Sequence, residues 1–240
     1  MSFHQDHDAQ IATPSALRQS GGLKWHFRAL RYRRLHEPFR RAIATFLQAW
    51  NPASTHLIIV GPSAGWFLPN SFLRLFSRLT LIDLDTSAPL FFNWRHGRVL
   101  RDARTAYEWV HADFVDCLPG LLSQHPKASV LFCNVLGQLG LERQDYETHL
   151  AQLSRGLEGR SWASFHDLYS SSILAGELSG ASPFTSTEIM DTRMLQRLGC
   201  SGEWTDHGTG RVLPEGALRH YFPWRITPTR FHWIEAGAFK

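Results

Sequence analysis

A chain of 240 residues, 43% of them apolar and nine of them tryptophan, can build one sizeable core, which excludes wholesale disorder. Its three cysteines, Cys117, Cys133 and Cys200, are odd in number and widely spaced, which excludes a disulfide framework and a cysteine zinc site. The net charge of +4 is too small to mark a polyanion binder by itself. No apolar run reaches the roughly 20 residues that cross a bilayer. The N-terminal stretch "MSFHQDHDAQIATPS" lacks a basic region followed by an apolar one, so it does not read as a secretory signal. A soluble chain in a reduced, cytoplasmic compartment is the expectation.

Residues 1–22 are polar, contain Pro14 and Gly21-Gly22, and predict a mobile tail ahead of one α/β domain over 23–240. Residues 23–50 have helical periodicity broken near His36, because Pro38 fits the first turn of a second helix. In that second helix Phe39, Ile43, Phe46, Leu47 and Trp50 form one apolar stripe. The segment 24–41 carries Arg28, Arg31, Arg33, Arg34, Arg40 and Arg41, interleaved with Trp25, Phe27 and Tyr32. It reads either as an exposed basic face or as a contact for nucleic acid or another anion, and no RNA-binding motif accompanies it.

From residue 56 the pattern alternates. "HLIIV" (56–60) predicts a buried strand, 70–78 a helix, "LTLIDL" (79–84) a second strand and 86–96 a helix. Strands follow at 106–112, 129–135 and 161–168, with a helix over 142–157 striped by Tyr146, Leu150 and Leu153. Segments 170–185 and 208–229 read as loops, 186–199 as a helix closed by Gly199, and "SGEWTDHG" and "RFHWIEAG" as late strands. Strands alternating with helices imply a doubly wound, mostly parallel α/β sheet preceded by N-terminal helices.

The stretch "HLIIVGPSAGWFLP" (56–69) ends its strand in a glycine, with another four positions later. Glycine accepts a positive φ, and its missing Cβ lets a backbone approach a ligand. Gly61 and Gly65 suit those two tasks, although a tight strand-to-helix corner without a ligand would use them too. Asp83 closes the second strand about 20 residues on, where a carboxylate can accept from both hydroxyls of a ribose. Asp113 closes the third, where it can accept from an adenine amino group, with Phe114 against the ring. Taken singly, each acid also reads as a solvated strand end.

Together Gly61-x-x-x-Gly65, Asp83 in "LIDLD", Asp113-Phe114 in "HADF" and "VLFCNVLGQL" resemble the class I S-adenosylmethionine-dependent methyltransferases, over roughly residues 54–168. The resemblance implies a Rossmann-like fold, with "FHWIEAG" as an antiparallel last strand, and S-adenosylmethionine as cofactor. It also implies that Gly61 and Gly65 face the methionine part, Asp83 the ribose, and Asp113 with Phe114 the adenine. Asp85 lies two residues past the matching ribose position. The chain departs from the family pattern at Ser63 and Ile59, where a glycine and an acid are usual, and at "WFLPN", which intervenes before the first helix. A nicotinamide dinucleotide fits less well: the Gly-x-Gly-x-x-Gly pattern is missing, and Pro62 removes a backbone donor that a pyrophosphate would use.

Methyl transfer needs alignment and sometimes a base, so no fixed catalytic residue is demanded. The candidates are Asn134, with Gln138 nearby, and His166, which Asp167 could orient, with Tyr169 at the same strand end. The amino-methylating Asn/Asp-Pro-Pro-aromatic motif is absent. Cys133 has no preceding proline and reads as a small buried hydrophobe. His166, Asp167 and His207 lack ligand spacing, so no metal is expected. The function implied is methyl transfer to an unidentified acceptor. The alternative is a methyltransferase-like binding or scaffolding protein.

Overall fold

Leu57 to Val60 are four consecutive apolar residues, a run that suits a strand buried on both faces. The computed structural model describes residues 10–11, 22–136, 146–172, 181–200 and 202–240. Its strands are β1 (Gln10–Ile11), β2 (His56–Val60), β3 (Arg78–Ile82), β4 (Ala106–Val110) and β5 (Ser129–Cys133). They continue with β6 (Trp162–Ser171), β7 (Phe184–Ser186), β8 (Thr205–Asp206), β9 (Arg219–Thr227) and β10 (Arg230–Phe239). The helices are α1 (Gly22–Arg31), α2 (Glu37–Trp50), α3 (Asn70–Leu73), α4 (Ala88–Asp102), α5 (Phe114–Gln124), α6 (Tyr146–Leu157) and α7 (Thr192–Arg197).

The main sheet runs β4-β3-β2-β5-β6-β10-β9-β7, with β8 paired to β6 and β1 to β8. From β4 to β6 the strands are parallel, and β10, β9 and β7 are antiparallel additions. The antiparallel last strand is therefore present. The chain winds outward from β2 through β3 to β4, then crosses back to β5 on the other side of β2. That reversal opens a crevice beyond the carboxyl ends of β2 and β5.

Alternation along the strands divides the core between the two faces of the sheet. Leu57, Ile59, Leu81 and Leu131 pack with Phe39, Ile43, Phe46, Leu47 and Trp50 of α2 and Phe92 of α4. Ile58, Val60, Val130 and Phe132 pack with Leu118 and Leu122 of α5 and Leu157 of α6. The α2 stripe is buried as its spacing predicts.

Several local expectations change. Gln10–Ile11 pairs with β8, so that part of the expected tail is a strand; residues 1–9 and 12–21 lie outside the described ones. The helix expected over 70–78 is the four-residue α3. The sequence pattern predicts no element over 114–124, where α5 lies; Asp113, expected to close a strand, caps that helix by accepting from the Val115 N–H at 3.0 Å. The helix expected over 186–199 shortens to α7, capped by Asp191 on the Met194 N–H. The expected loop 208–229 contains β9. Pro223 is tolerated there because β7 pairs only with Arg219, His220 and Tyr221, leaving that side of β9 unpaired at Pro223. Among the described residues no helix is long and apolar enough to cross a membrane.

Trp50 joins the ends of the fold: its indole N–H reaches Ser161 Oγ (3.1 Å) and the Phe239 carbonyl (3.3 Å) from within the α2 core. Trp50→Ala removes both that packing and those bonds, so urea denaturation should show a loss of about 3–5 kcal/mol.

Candidate functional site

The turn after β2 has three residues with positive φ: Gly61 (67°), Ser63 (50°) and Gly65 (63°). The neighbours of the glycines are protein groups. A Cβ on Gly61 would meet Val135 Cγ1 and the Cys133 carbonyl, and one on Gly65 would meet His96 and Phe92 of α4. Gly65 therefore lets α4 seat against the turn; it is not a wall of the cleft, whereas Gly61 is. Asp83 braces the turn from the end of β3. Its Oδ2 accepts from the Ser63 N–H at 2.7 Å, and its Oδ1 from the Asp85 N–H at 2.9 Å. Each oxygen keeps a further lone pair. Burial raises the Asp83 carboxyl, against the two backbone donors that lower it.

A cleft of about 220 Å³ lies over these strand ends. Gly61, Ser63 and Asp83 form one side, and Asn134, Asp167 and His232 another. Helix α1 covers it. His26 of that helix is fully buried, donates from Nε2 to Asp85 (2.9 Å) and accepts at Nδ1 from the Trp66 indole (3.0 Å). Its ring also stacks on Phe91 at 4.2 Å. Burial holds the His26 pKa below its ordinary value, although Asp85 pulls the other way. "WFLPN" thus provides the wall residues Trp66, Phe67 and Leu68 and the anchor for α1.

Across the cleft a partly buried polar chain links three elements. Asn134, at φ 57°, follows β5; its Oδ1 accepts from the Asp167 N–H at 2.7 Å, and its Nδ2 donates to Asp167 Oδ2 at 3.0 Å. Asp167 Oδ1 in turn faces His232 Nδ1 at 2.8 Å. Burial alone would raise the Asp167 carboxyl, but His232, His207 and Asn134 outweigh it and hold it well below the carboxylate range. Nδ1 carries the hydrogen that faces the carboxylate, so in the uncharged ring the lone pair lies on Nε2. That atom is buried and has no hydrogen-bond partner among the described residues. A β-bulge sets the geometry: Ile234 pairs with Asp167 and Trp233 with Tyr169, so Leu168 is an extra residue on β6.

The predicted site residues separate accordingly. Gly61, Asp83 and Asn134 line the cleft. Asn134 uses both amide atoms on Asp167, so it positions that carboxylate. His166 is a correction. With Phe165 and Asp167 on the cleft, alternation turns it to the opposite face, where it is 0% exposed. There it pairs with Ser164 Oγ and with Glu235, which also binds Arg219 and Tyr221. Asp113 and Phe114 do not line the cleft. Phe114 packs beside Phe132 and borders a separate cavity of about 50 Å³. Cys133 is buried, and burial pushes its thiol well up, so it stays protonated at neutral pH. Tyr169 is buried and directed to the Met190 carbonyl. Gln138 lies outside the described residues. Among the described residues no cluster of His, Cys, Asp and Glu is arranged to hold a metal. His232 escaped the sequence reading; the one available signal was its place in the last strand, next to the end that would lie at the crevice.

Magnesium protoporphyrin IX methyltransferase from Synechocystis PCC 6803, solved with bound SAH, superposes with a TM-score of 0.50 at 12% identity, over 95% of this chain and 99% of that one. The fold is that of the class I methyltransferases. N-methyltransferase NodS from Bradyrhizobium japonicum WM9 matches over 83% of this chain and 97% of its own, at 16% identity and a TM-score of 0.43. No family model and no curated protein matches the sequence. Within this fold, His232 is the part of the cleft that the strand-end pattern did not announce.

The anchoring of α1 is acid-sensitive. A folded-state pKa below 6.5 makes the contribution of His26 complete above the unfolded value and lost as pH falls through the lower folded one. Protonation puts an N–H on Nδ1 against the Trp66 indole N–H. Hydrogen exchange over residues 22–31, corrected for intrinsic rates, should speed up between pH 7 and pH 5, and be fast at both in His26→Ala.

Proposed function

We propose that the protein is an S-adenosylmethionine-dependent methyltransferase formed by one domain over residues 23–240. The observation that carries this reading is the convergence of the Gly61–Ser63 turn and Asp83 on one cleft at the strand-order reversal. Structures that share the fold hold SAM or SAH. The residues here fit such a cofactor. Ser63 Oγ is a buried hydroxyl without a hydrogen-bond partner among the described residues, on the cleft wall beside Gly61. Asp83 keeps lone pairs for the two hydroxyls of a ribose. Gly61 and Ser63 would hold the methionine part. Asp113 and Phe114 are proposed for the adenine from their place at the end of β4 alone. When bound, the cofactor supplies an electrophilic methyl group on a sulfonium.

The chain's own contribution is to hold and enclose. Trp66, Phe67 and α1 keep water from the cleft, and Asn134 fixes Asp167. No candidate nucleophile is needed for an in-line transfer. Within the basic segment 24–41 Arg28 turns into the cleft, while Arg40 and Arg41 pair with Glu37. A nucleic-acid contact remains open to Arg31, Arg33 and Arg34, which are exposed. The three free cysteines support a reduced, cytoplasmic setting.

Calorimetry with S-adenosylmethionine and S-adenosylhomocysteine tests the reading. Both should bind the wild type, and Asp83→Ala should weaken binding at least about tenfold, equivalent to about 1.4 kcal/mol. Absence of binding to the wild type would reject it. Binding without turnover on any acceptor would instead favour the scaffolding alternative.

A further inference from the structure

We propose that His232 is the general base of this cleft, held by Asp167, and that the acceptor is a hydroxyl compound carrying an anionic group. The proposal rests on the methyltransferase reading for its reaction, and on the geometry of His232 for the base. His232 is 3% exposed and lines the cleft, with Nδ1 fixed by Asp167 and Nε2 without a hydrogen-bond partner among the described residues. A buried polar atom is ordinarily satisfied, and leaving one unmet costs about 1–3 kcal/mol. An imidazole nitrogen kept bare in this way is arranged to receive a hydrogen bond from a ligand.

The surroundings define the ligand. Trp25, Phe67 and Trp224 form an aromatic wall, with Phe67 and Trp224 5.0 Å apart between ring centroids. Arg28 and Arg230 reach the same cleft and form no ion pair among the described residues. Two guanidiniums beside aromatic rings suit a flat, anionic molecule. The charged and titratable groups facing His232 are Asp167 from β6, His207 after β8 with its ring 5.8 Å away, and Arg230 on its own strand. From β9 it meets the uncharged Trp224 at 5.7 Å.

A hydroxyl is an acceptor that makes use of this base. Its oxygen forms a bond to the methyl carbon while the bond from that carbon to sulfur breaks, and the electron pair stays on sulfur to leave a neutral thioether. The hydroxyl proton passes to Nε2. The resulting imidazolium is stabilised by the Asp167 carboxylate and loses its proton to solvent when product leaves. A carboxylate or thioether acceptor has no proton to give up.

The test uses the full chain with ¹⁵N-labelled histidine, His232 being identified by the signal lost in His232→Gln. Without ligand, His232 should be the Nδ1–H tautomer with Nε2 bare at pH 7.5. With S-adenosylhomocysteine bound, 4-hydroxybenzoate should shift the Nε2 signal, whereas its methyl ether, 4-methoxybenzoate, should not. Arg230→Gln should weaken 4-hydroxybenzoate at least about tenfold. With S-adenosylmethionine, His232→Gln should lower turnover of a hydroxyl acceptor about 100-fold or more, while S-adenosylhomocysteine affinity stays within about twofold. An Nε2–H tautomer, or bound 4-hydroxybenzoate that leaves Nε2 unmoved, overturns the base. Failure of 4-hydroxybenzoate to bind at 10 mM, or turnover of 4-aminobenzoate in its place, overturns the acceptor class. If S-adenosylhomocysteine itself does not bind, the methyltransferase reading fails, and the ligand-free tautomer still decides His232.

Discussion

A carboxylate taken out of water costs several kcal/mol unless donors surround it, and Asp167 is such a group at the centre of the cleft. Two elements answer that requirement. Asn134 donates from the end of β5, His232 donates from β10, and β6 carries the acid itself. The same demand explains the left-handed backbone at Asn134. That conformation, which Asn tolerates better than most residues, accompanies the two bonds between its amide and Asp167. The parallel half of the sheet and its antiparallel extension are thereby joined by a polar link as well as by the β6–β10 ladder.

The other side of the cleft follows from a second carboxylate. Asp83 fixes the Ser63 and Asp85 amides, so the turn holds its shape through the protein's own bonds. Gly65 then admits α4, and His26 ties α1 across the opening through Asp85 and Trp66. His96 is packed into the same corner, and burial, reinforced by the charge of Arg95, lowers its pKa to about 4. The cleft is thus bounded by groups whose positions are internally fixed, which limits the reorganisation needed when a ligand arrives. A second buried network, His166–Glu235–Arg219, lies on the opposite face of β6 and secures β9 and β10. One strand therefore serves two polar clusters through the ordinary alternation of its side chains.

Much of this was legible in the sequence, for local reasons. The run at Leu57–Val60 and the stripe from Phe39 to Trp50 follow from burial periodicity, and the order of strands and helices follows from their alternation. Gly61, Asp83 and Asn134 were found because strand ends announce themselves where apolar runs stop. β9 was hidden by Pro223, whose missing N–H is harmless only because the neighbouring strand ends before it. α5 was hidden because Asp113 reads equally as a strand end and as a helix cap.

By itself the sequence determined the doubly wound order, the glycine turn and the acids at the strand ends, because each depends on residues close together in the chain. Tertiary structure alone chose His232 over His166. The two rings belong to strands that meet through pairing across more than sixty residues, and the register that sets Ile234 opposite Asp167 puts His232, two positions away on β10, on the same face as that acid. Period-two alternation means that a pairing shifted by one residue would have brought the other face of β10 to Asp167. No local pattern encodes that choice.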